Sequence, residues 1–426
     1  MILVHAPFTS PRLDYVVRVL FTERLGQEVR VTTSVEDVAG HDGPVIAYGT
    51  EVPGTIVIPQ ANDLLERSDI TAFDARFREI DGRIGFATEA GIDIFATTFW
   101  LLSRYEEHHV EERDEHGRFP ARASMLLRDG WLARPIVDEH VAWLRRSLIS
   151  AVPNIELRAE AFAYHPSIDI DIGYAHAHKG AVRWLGGLAR QVVEGRFTDL
   201  RDRLRVSAGA RDPFDTYDHI IDLFRRMDGA ADVFIPCGDP GPFDRHNDVR
   251  LPGMKRLVRR LAVHARIGLH PSYAGGQDPD RLRAEKRRLE EVLEAPVTHS
   301  RHHYLRIDLP TTYRLLVEAG IEHDHSMAFA DAPGYRAGTS RPFQAFDLVC
   351  DEVLPLTVHP FSVMEHTFDR YMPCSAAEAF AMVRPILEAT RAVDGLFVTN
   401  AHNHTLVEGS AARVLMDRVV EGARGQ

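Results

Sequence analysis

Short apolar runs alternate with a helical pattern over the first part of the chain. Leu13, Val17, Leu20 and Phe21 recur at the spacing of one helix face, which is the period of an amphipathic helix. Runs with the composition of short strands cover residues 2–5, 29–33, 45–48 and 55–58. This alternation predicts a small α/β domain over residues 1–150, whose function the pattern does not indicate.

Three local signatures follow in the same region. Asp81-Gly82 separates two strand-like runs and has the composition of a two-residue turn with positive φ at both positions. From Asp93 onward, apolar residues share one helix face, so we expect a helix there. The charged segment 106–118 contains Asp114-Glu115-His116-Gly117, which has turn composition. We favour a solvated connector for this segment over a loop that contacts a substrate.

From about residue 161 the pattern becomes a regular alternation of strands and helices. Apolar runs predict strands near Asp169 and at residues 231–236, 266–270, 297–304, 321–327, 354–358 and 396–399. Asp212-Pro213 is read as a helix start and Ser375 to Glu378 as a capping box. Alternating strands and helices predict a parallel sheet, and about seven such units predict a barrel. We therefore expect a distorted (β/α)7-type barrel over residues 161–426, preceded by the smaller α/β domain.

Composition places the chain among ordinary globular proteins. Its 426 residues have a hydrophobic fraction of 45%, a charged fraction of 26% and a formal net charge of -12. An acidic chain without a long basic run offers no positively charged surface for the phosphates of a nucleic acid. We therefore expect no nucleic acid partner. The three cysteines are scattered without CxxC spacing, which indicates neither a disulfide framework nor a cysteine zinc site.

The sequence gives no sign of membrane insertion or export. It has no apolar run long enough to span a bilayer, and residues 1–7 lack the pattern of an export signal. We therefore expect a cytoplasmic protein without a transmembrane segment. The oligomeric state stays open, with a homo-oligomer among the alternatives.

Chemistry is indicated first by two carboxylates. Asp169 and Asp171 stand two positions apart, and on a strand such residues project from the same face. Two like charges at such a short distance raise each other's proton affinity. We therefore expect a cation, a basic partner or acid/base chemistry to compensate the repulsion between the two carboxylates. Alternatively, the two aspartates simply mark the end of a strand at the protein surface and have no function.

Polar side chains recur at the ends of the other predicted strands. They are His270, then Arg301, His302, His303 and Tyr304, then Asp324, and finally His402 and His404. In parallel barrels the ligand site lies at the carboxyl ends of the strands. Desolvating so many polar groups is unfavourable unless a ligand or a metal offsets the cost. The sequence therefore predicts a functional site at this end of the sheet.

The same residues resemble a known family. The motifs Asp169 with Asp171, His270-Pro271-Ser272-Tyr273, Arg301-His302-His303-Tyr304 and Asn400-Ala401-His402 fall in the order of the signature motifs of polysaccharide deacetylases, the NodB-homology group or carbohydrate esterase family 4. The resemblance covers roughly the last 260 residues. The upstream part resembles the uncharacterised N-terminal domain found in bacterial proteins fused to such a barrel.

The resemblance implies roles for individual residues. Asp169 is implied as the catalytic base and Arg301 as the arginine that keeps it ionised. Tyr304 stands where the family offers a backbone N–H to the oxyanion. His402 is implied as the general acid that protonates the leaving amine.

The resemblance also implies a metal site. Asp171 and His270 match family metal ligands, but Ala274 stands where the family has its second histidine. We infer that His303 supplies the third ligand, with His176 as an alternative. Such a set suits Zn²⁺ and would also accept Co²⁺ or Ni²⁺.

The function implied is that of a metal-dependent hydrolase that removes an acetyl group from an N-acetylated sugar or a related amide. Its substrate would be a small molecule or glycan, and we expect Arg336 and His404 to contact it. Two alternatives stay open: a metal-independent hydrolase of another C–N bond on the same barrel, or an inactive carbohydrate-binding relative.

Overall fold

A computed structural model describes residues 1–73, 75–227 and 230–425 of the chain. Within them, the chain forms three sheets with helices packed around them. The described helices include none long and apolar enough to cross a membrane.

The first sheet is parallel, with strand order β2-β1-β3-β4. Its strands are β1 (Ile2–His5), β2 (Val29–Thr32), β3 (Val45–Tyr48) and β4 (Ile56–Ile58). Helices α1 (Pro11–Val17) and α2 (Val35–Ala39) accompany it, and a π-helical stretch, Arg18–Arg24, continues α1. The strands predicted from the apolar runs are all present.

A small antiparallel sheet follows, and it confirms the turn predicted at Asp81-Gly82. It contains β5 (Arg78–Ile80), β6 (Arg83–Thr88) and β7 (Gly91–Asp93). Asp81 has φ 51° and Gly82 has φ 73°, as a type I′ turn requires.

Helices complete this region of the chain. They are α3 (Ile94–Leu102), α4 (Tyr105–His109), α5 (Met125–Arg128) and α6 (Ile136–Ala151), with a 3₁₀ turn at Ala121–Ala123. The Asp93 side chain caps α3 by accepting from the Ala96 N–H at 2.9 Å, because the first turn of a helix leaves its N–H groups unpaired.

The largest sheet has nine strands in the order β13-β14-β12-β11-β10-β9-β8-β16-β15. They are β8 (Ala163–Asp169), β9 (Asp232–Pro236), β10 (Arg266–His270), β11 (His299–Ser300), β12 (His323–Asp324), β13 (Phe343–Asp347), β14 (Glu352–Val358), β15 (Val363–Met364) and β16 (Leu396–His402). All neighbours pair in parallel except β13 with β14. The predicted α/β class with a parallel sheet is confirmed. Among the described residues no ladder joins β13 to β15, the two ends of this sheet.

Helices connect these strands. They are α7 (Ala181–Val193), α8 (Phe197–Ser207), α9 (Tyr217–Arg225), α10 (Pro252–Ala262), α11 (Pro279–Leu293), α12 (Thr311–Glu318), α13 (Ala376–Ala392) and α14 (Ala411–Arg424). Short 3₁₀ turns lie at Gly275–Gln277 and His303–Leu305, and a π-helical turn at Thr367–Tyr371. The capping box predicted at Ser375 is present.

One local prediction was wrong, and one strand pair was not predicted. Asp212 does not begin a helix, since α9 begins at Tyr217. Its carboxylate instead accepts hydrogen bonds from the backbone N–H groups of residues 175–177. The antiparallel pairing of β13 with β14 was missed, because β13 has no strict alternation of apolar and polar residues.

The nine-stranded sheet is strongly curved. Arg301 follows β11, three strands away from β8, yet its Nη1 lies 3.0 Å from Oδ1 of Asp169. Neighbouring strands lie about 4.8 Å apart, so a flat sheet would hold these side chains too far apart for that contact. The curvature gathers the strand ends around one cavity.

The first region of the chain, residues 1–151, packs on the β13 end of the nine-stranded sheet. Tyr15 of α1 and Phe99 of α3 each place a ring 5.1 Å from the ring of Phe346 on β13. They cover an edge strand that would otherwise expose unpaired backbone groups. One apolar core therefore runs through both regions.

Candidate active site

A cavity of about 500 Å³ opens at the carboxyl ends of the strands of the large sheet. Its lining includes most of the residues singled out from the sequence. They are Asp169, Asp171, His270, His302, His303, Tyr304, His402 and His404. Arg118, Phe243, Arg245, His366, Arg370 and Tyr371 also line it.

Asp169 is fixed by a buried arginine. Arg301 Nη1 donates to Asp169 Oδ1 at 3.0 Å, and Asn400 Nδ2 donates to Oδ2 at 2.7 Å. Arg301 itself is fully buried, and its other donors reach Ser167 Oγ and the His325 carbonyl, both at 2.9 Å. Charge-assisted bonds of this kind are strong and directional. The Asp169 carboxylate is therefore held in one orientation at the cavity wall.

His402 is held by a carboxylate that the sequence analysis did not single out. Its Nδ1–H donates to Glu365 Oε1 at 2.9 Å, and its backbone N–H donates to the same oxygen at 2.9 Å. Burial lowers the pKa of His402, but the charges of Glu365 and Asp171 more than offset this and raise it to about 10. His402 is therefore an imidazolium near neutral pH, with Nε2 3.8 Å from Asp169 Oδ2 and 3.7 Å from Asp171 Oδ2.

Asp171, His270 and His303 form a candidate metal centre. Each offers a ligand atom, and these atoms all lie within 4.8 Å of one another. His270 Nε2 is 3.3 Å from Asp171 Oδ1, and His303 Nε2 is 3.8 Å from Asp171 Oδ2. Apart from this 3.3 Å contact with each other, the buried atoms Asp171 Oδ1 and His270 Nε2 have no hydrogen-bond partner among the described residues. Buried polar atoms without partners are rare, so these donors fit a divalent cation.

Both histidines of this group are oriented by a second contact. His270 Nδ1–H donates to the Arg301 carbonyl at 2.6 Å, and His303 Nδ1–H donates to Asp244 Oδ1 at 3.1 Å. These contacts leave the two Nε2 atoms facing Asp171, as outer contacts of metal-ligating histidines do. Ala274 lies elsewhere, in a separate hollow beside Ser272 and Glu285. Thus the geometry brings His303, and not a residue near Ala274, to this group.

The charges in the centre shift the pKa of its members. Burial acts to raise the pKa of Asp171, but His402 and His303 lower it well below its usual range. Burial acts to lower the pKa of His303, but Asp171 and Asp244 raise it to about 9. The carboxylates and histidines of the cavity therefore favour each other's charged forms.

The segment predicted to be a solvated connector covers the cavity instead. Arg118 Nη1 donates to the Tyr304 carbonyl and Nη2 to the Tyr371 hydroxyl, both at 2.9 Å. The His116 ring lies 4.6 Å from the Tyr304 ring. The prediction failed because the turn composition of residues 114–117 says nothing about what the turn packs against.

Tyr304 and His404 line the cavity as expected, but Arg336 does not. Arg336 is buried, and its guanidinium donates to both carboxylate oxygens of Glu107, at 2.8 and 2.6 Å. Because these donors are used inside the protein, the substrate-binding role predicted for Arg336 was wrong. His176 belongs to none of the ligand groups found among the described residues.

Comparisons with known proteins give a family match for the first region and structural matches over part of the chain. Residues 2–153 match a family of unknown function, DUF7033. No curated protein matches the chain. Among solved structures, a protein named as a polysaccharide deacetylase from Mycobacterium smegmatis matches with 16% identity and a TM-score of 0.41, over 62% of this chain and 85% of that chain.

Two further solved structures match at similar levels. An allantoinase has 12% identity and a TM-score of 0.39, over 62% of this chain and 84% of that chain. A CE4-family pseudoenzyme from Bacillus anthracis has 8% identity and a TM-score of 0.32, over 62% of both chains. These matches include proteins named for the family that the sequence motifs resemble. At these scores the matches carry no conclusion about chemistry, which rests on the distances given above.

Proposed function

We propose that this protein is a metal-dependent hydrolase that removes an acyl group, such as acetyl, from the nitrogen of a sugar or a related amide. One observation carries the proposal. A candidate base, a protonated candidate acid and a three-residue ligand group meet in one cavity, with His402 Nε2 3.8 Å from Asp169 and 3.7 Å from Asp171.

Asp171, His270 and His303 would hold the cation, for which Zn²⁺, Co²⁺ or Ni²⁺ are suited by their preference for imidazole and carboxylate ligands. When bound in such a site, a divalent ion polarises a carbonyl oxygen and makes water more acidic. The protein's own side chains then move the protons.

Asp169 would take a proton from the attacking water, since its carboxylate is held in place by Arg301 and Asn400. His402 would donate the proton on Nε2 to the leaving nitrogen, and Glu365 keeps it protonated and oriented. The backbone N–H of Tyr304 would stabilise the oxyanion, a role that rests on the resemblance of its motif.

A sugar-sized substrate suits the cavity. Its volume of about 500 Å³ falls within the range of small-molecule sites. The aromatic side chains of Phe243, Tyr304 and Tyr371 line its wall. Aromatic faces and polar groups together suit a saccharide or a small amide. A cytoplasmic precursor, such as a glycolipid or a nucleotide-linked sugar, stays a prediction from the sequence.

The architecture belongs to the same proposal. We infer that the curved sheet is a distorted (β/α)7-type barrel beginning near residue 161, and that residues 1–150 form a separate domain. The side-chain contact between β8 and the loop after β11 supports closure around the cavity.

The test measures metal content and acetate release together. Untagged protein is loaded with Zn²⁺, Co²⁺ or Ni²⁺ and incubated with a panel of N-acetylated sugars. We expect His270→Ala to lose the ion held by Asp171, His270 and His303, whereas His264→Ala, a partly exposed control, retains it. We expect Asp169→Asn to retain metal but to lower kcat by about 10²- to 10⁴-fold.

Three results would contradict the proposal. Acetate release that persists in metal-free protein would favour the metal-independent alternative. A wild-type protein that binds sugars but never hydrolyses them, with or without metal, would favour the inactive binding alternative. Full activity in Asp169→Asn would remove the assigned base.

A further inference from the structure

Two histidines at the cavity wall have no role in the proposed chemistry. His366 follows β15 and His404 follows β16, and both line the cavity. Together with Asp171 they offer three ligand atoms that all lie within 4.8 Å of one another. This second group shares Asp171 with the first ligand group, but its two histidines are different.

Unused nitrogens in this second group point to a ligand. Nδ1 of His366 and Nδ1 of His404 are buried and have no hydrogen-bond partner among the described residues. The carboxylate oxygen of Asp369 is 3.8 Å from His366 Nδ1, which is beyond hydrogen-bond length. A buried polar atom without a partner costs free energy, and coordination of a cation would offset that cost.

An overlapping group is less suited to an ion. Glu365, His366 and His402 also place ligand atoms within 4.8 Å. However, Glu365 Oε1 already accepts hydrogen bonds from His402 Nδ1–H and from the Thr405 hydroxyl, at 2.9 and 2.7 Å. Glu365 is fully buried and does not line the cavity. By contrast, Asp171, His366 and His404 all line the cavity.

We propose that Asp171, His366 and His404 hold a second divalent cation, with Asp171 shared between two ions. Asp171 offers two carboxylate oxygens for this geometry. Oδ1 lies 3.3 Å from His270 Nε2, and Oδ2 lies 3.8 Å from His303 Nε2 and 3.7 Å from His402 Nε2. Imidazole and carboxylate ligands suit Zn²⁺, Co²⁺ or Ni²⁺. This inference rests on the proposed function for its first ion.

A second ion would extend what the cavity can bind. Paired ions in hydrolases lie about 3.5–4 Å apart and bind oxygen atoms on both sides of the reacting group. Here the second ion would hold an oxygen of the substrate, such as a sugar hydroxyl, on the side of the cavity formed by β15 and β16.

The experiment is a titration of untagged, metal-stripped protein with Zn²⁺, followed by elemental analysis after dialysis. We expect two ions per wild-type chain and one each in His404→Ala and His270→Ala. His264→Ala is the control and should retain two. His366→Ala repeats the test at a second position, and far-UV circular dichroism establishes that each variant is folded.

The outcomes separate this inference from the proposed function. Saturation of the wild type at one ion, retained in His404→Ala and lost in His270→Ala, would overturn the second site and leave the proposed function intact. If the wild type bound one ion, and that ion were lost in His404→Ala but retained in His270→Ala, the result would support the second site. It would also contradict the first ligand group. A wild type that binds no ion would overturn both.

Discussion

At the scale of single residues, Arg301 connects the core of the large sheet to the candidate base. Its guanidinium lies between the rings of Phe234 and Phe361, at 4.3 and 4.8 Å from their centroids. Its donors reach Asp169, Asn400, Ser167 and the His325 carbonyl. A fully buried cation is stable only if it is paired and hydrogen-bonded.

Arg301→Met should therefore lower the free energy of unfolding by about 3–5 kcal/mol, because it leaves the Asp169 carboxylate buried without its cation. The measurement is urea unfolding followed by tryptophan fluorescence. Arg250→Met is the matched control: Arg250 pairs with Asp248 at 2.9 Å but is 55% exposed, and such pairs contribute about 1 kcal/mol or less. Equal losses in both variants would contradict the assignment of Arg301.

At the scale of elements, the loop that follows α4 contributes directly to the cavity. Asp114 fixes Arg118 by accepting from its Nε at 2.7 Å. Arg118 in turn binds the Tyr304 carbonyl and the Tyr371 hydroxyl, so it connects three segments of the cavity rim. Because its donors are engaged, it positions these tyrosines and is not itself a free substrate ligand.

Arg118→Ala should raise KM for the N-acetylated substrate by about 30-fold and change kcat little, since two hydrogen bonds of about 1 kcal/mol each are lost at the rim. Steady-state acetate release measures both constants. Arg113→Ala in the same loop is the control, because its Nη1 bonds to exposed backbone carbonyls. A fall in kcat with KM unchanged would show that Arg118 acts on the reaction step instead.

At the scale of the whole molecule, buried ion pairs join the two regions. Glu107 of α4 accepts from Arg104 at 2.8 Å and from Arg336, which lies 229 positions away. Burial acts to raise the pKa of Glu107, but the two guanidinium groups lower it to about 2. Glu107 of the first region therefore neutralises the buried guanidinium charge of Arg336 in the second region.

Glu107→Gln should lower the free energy of unfolding by about 3–5 kcal/mol, because it leaves buried guanidinium charge uncompensated. Denaturant unfolding measures the loss. Glu112→Gln is the control, since the Glu112–Arg122 pair is exposed at 46% and 62%. If Glu107→Gln were as stable as this control, the two regions would not depend on each other through this pair.

A histidine cluster beneath Arg301 predicts acid sensitivity of the whole fold. It consists of His299, His323, His325 and His359, and two ring nitrogen pairs within it lie 3.0 Å apart. His165, Asp232 and Arg266 face the same cluster. Burial and then neighbouring positive charge lower the pKa of His299 and of His359 to about 3.

These histidines are neutral in the folded protein and titrate near 6.5 when unfolded, so they stabilise the fold above pH 6.5 and cease to do so as pH falls toward 3. Each unit of pKa difference corresponds to about 1.4 kcal/mol. We expect the unfolding free energy to fall over this range, and less steeply in His359→Gln. His264→Gln is the control and should follow the wild type. Identical slopes in all three would contradict the prediction.

Much of the candidate site was accessible from the sequence, for a local reason. Asp169 and Asp171 stand two positions apart near the end of a predicted strand, and His270, Arg301 and His402 each stand where a predicted strand ends. Parallel strands end at a common edge, so position along the chain was enough to predict that these side chains meet. Turn and capping signals at Asp81 and Ser375 act over two to four residues and were read correctly for the same reason.

The remaining assignments depended on long-range pairing. Glu365 and His366 follow β15, which has two residues and no recognisable pattern, and they reach His402 because β15 pairs with β16. Arg336 was misassigned because its partner Glu107 lies in the other region. The sequence by itself determined most of the elements, their order and the polar residues at the strand ends, since these follow from local periodicity and turn chemistry. Only the tertiary structure decided which polar groups pair inside the protein and which face the cavity, because that choice depends on strand order, sheet curvature and packing between the two regions.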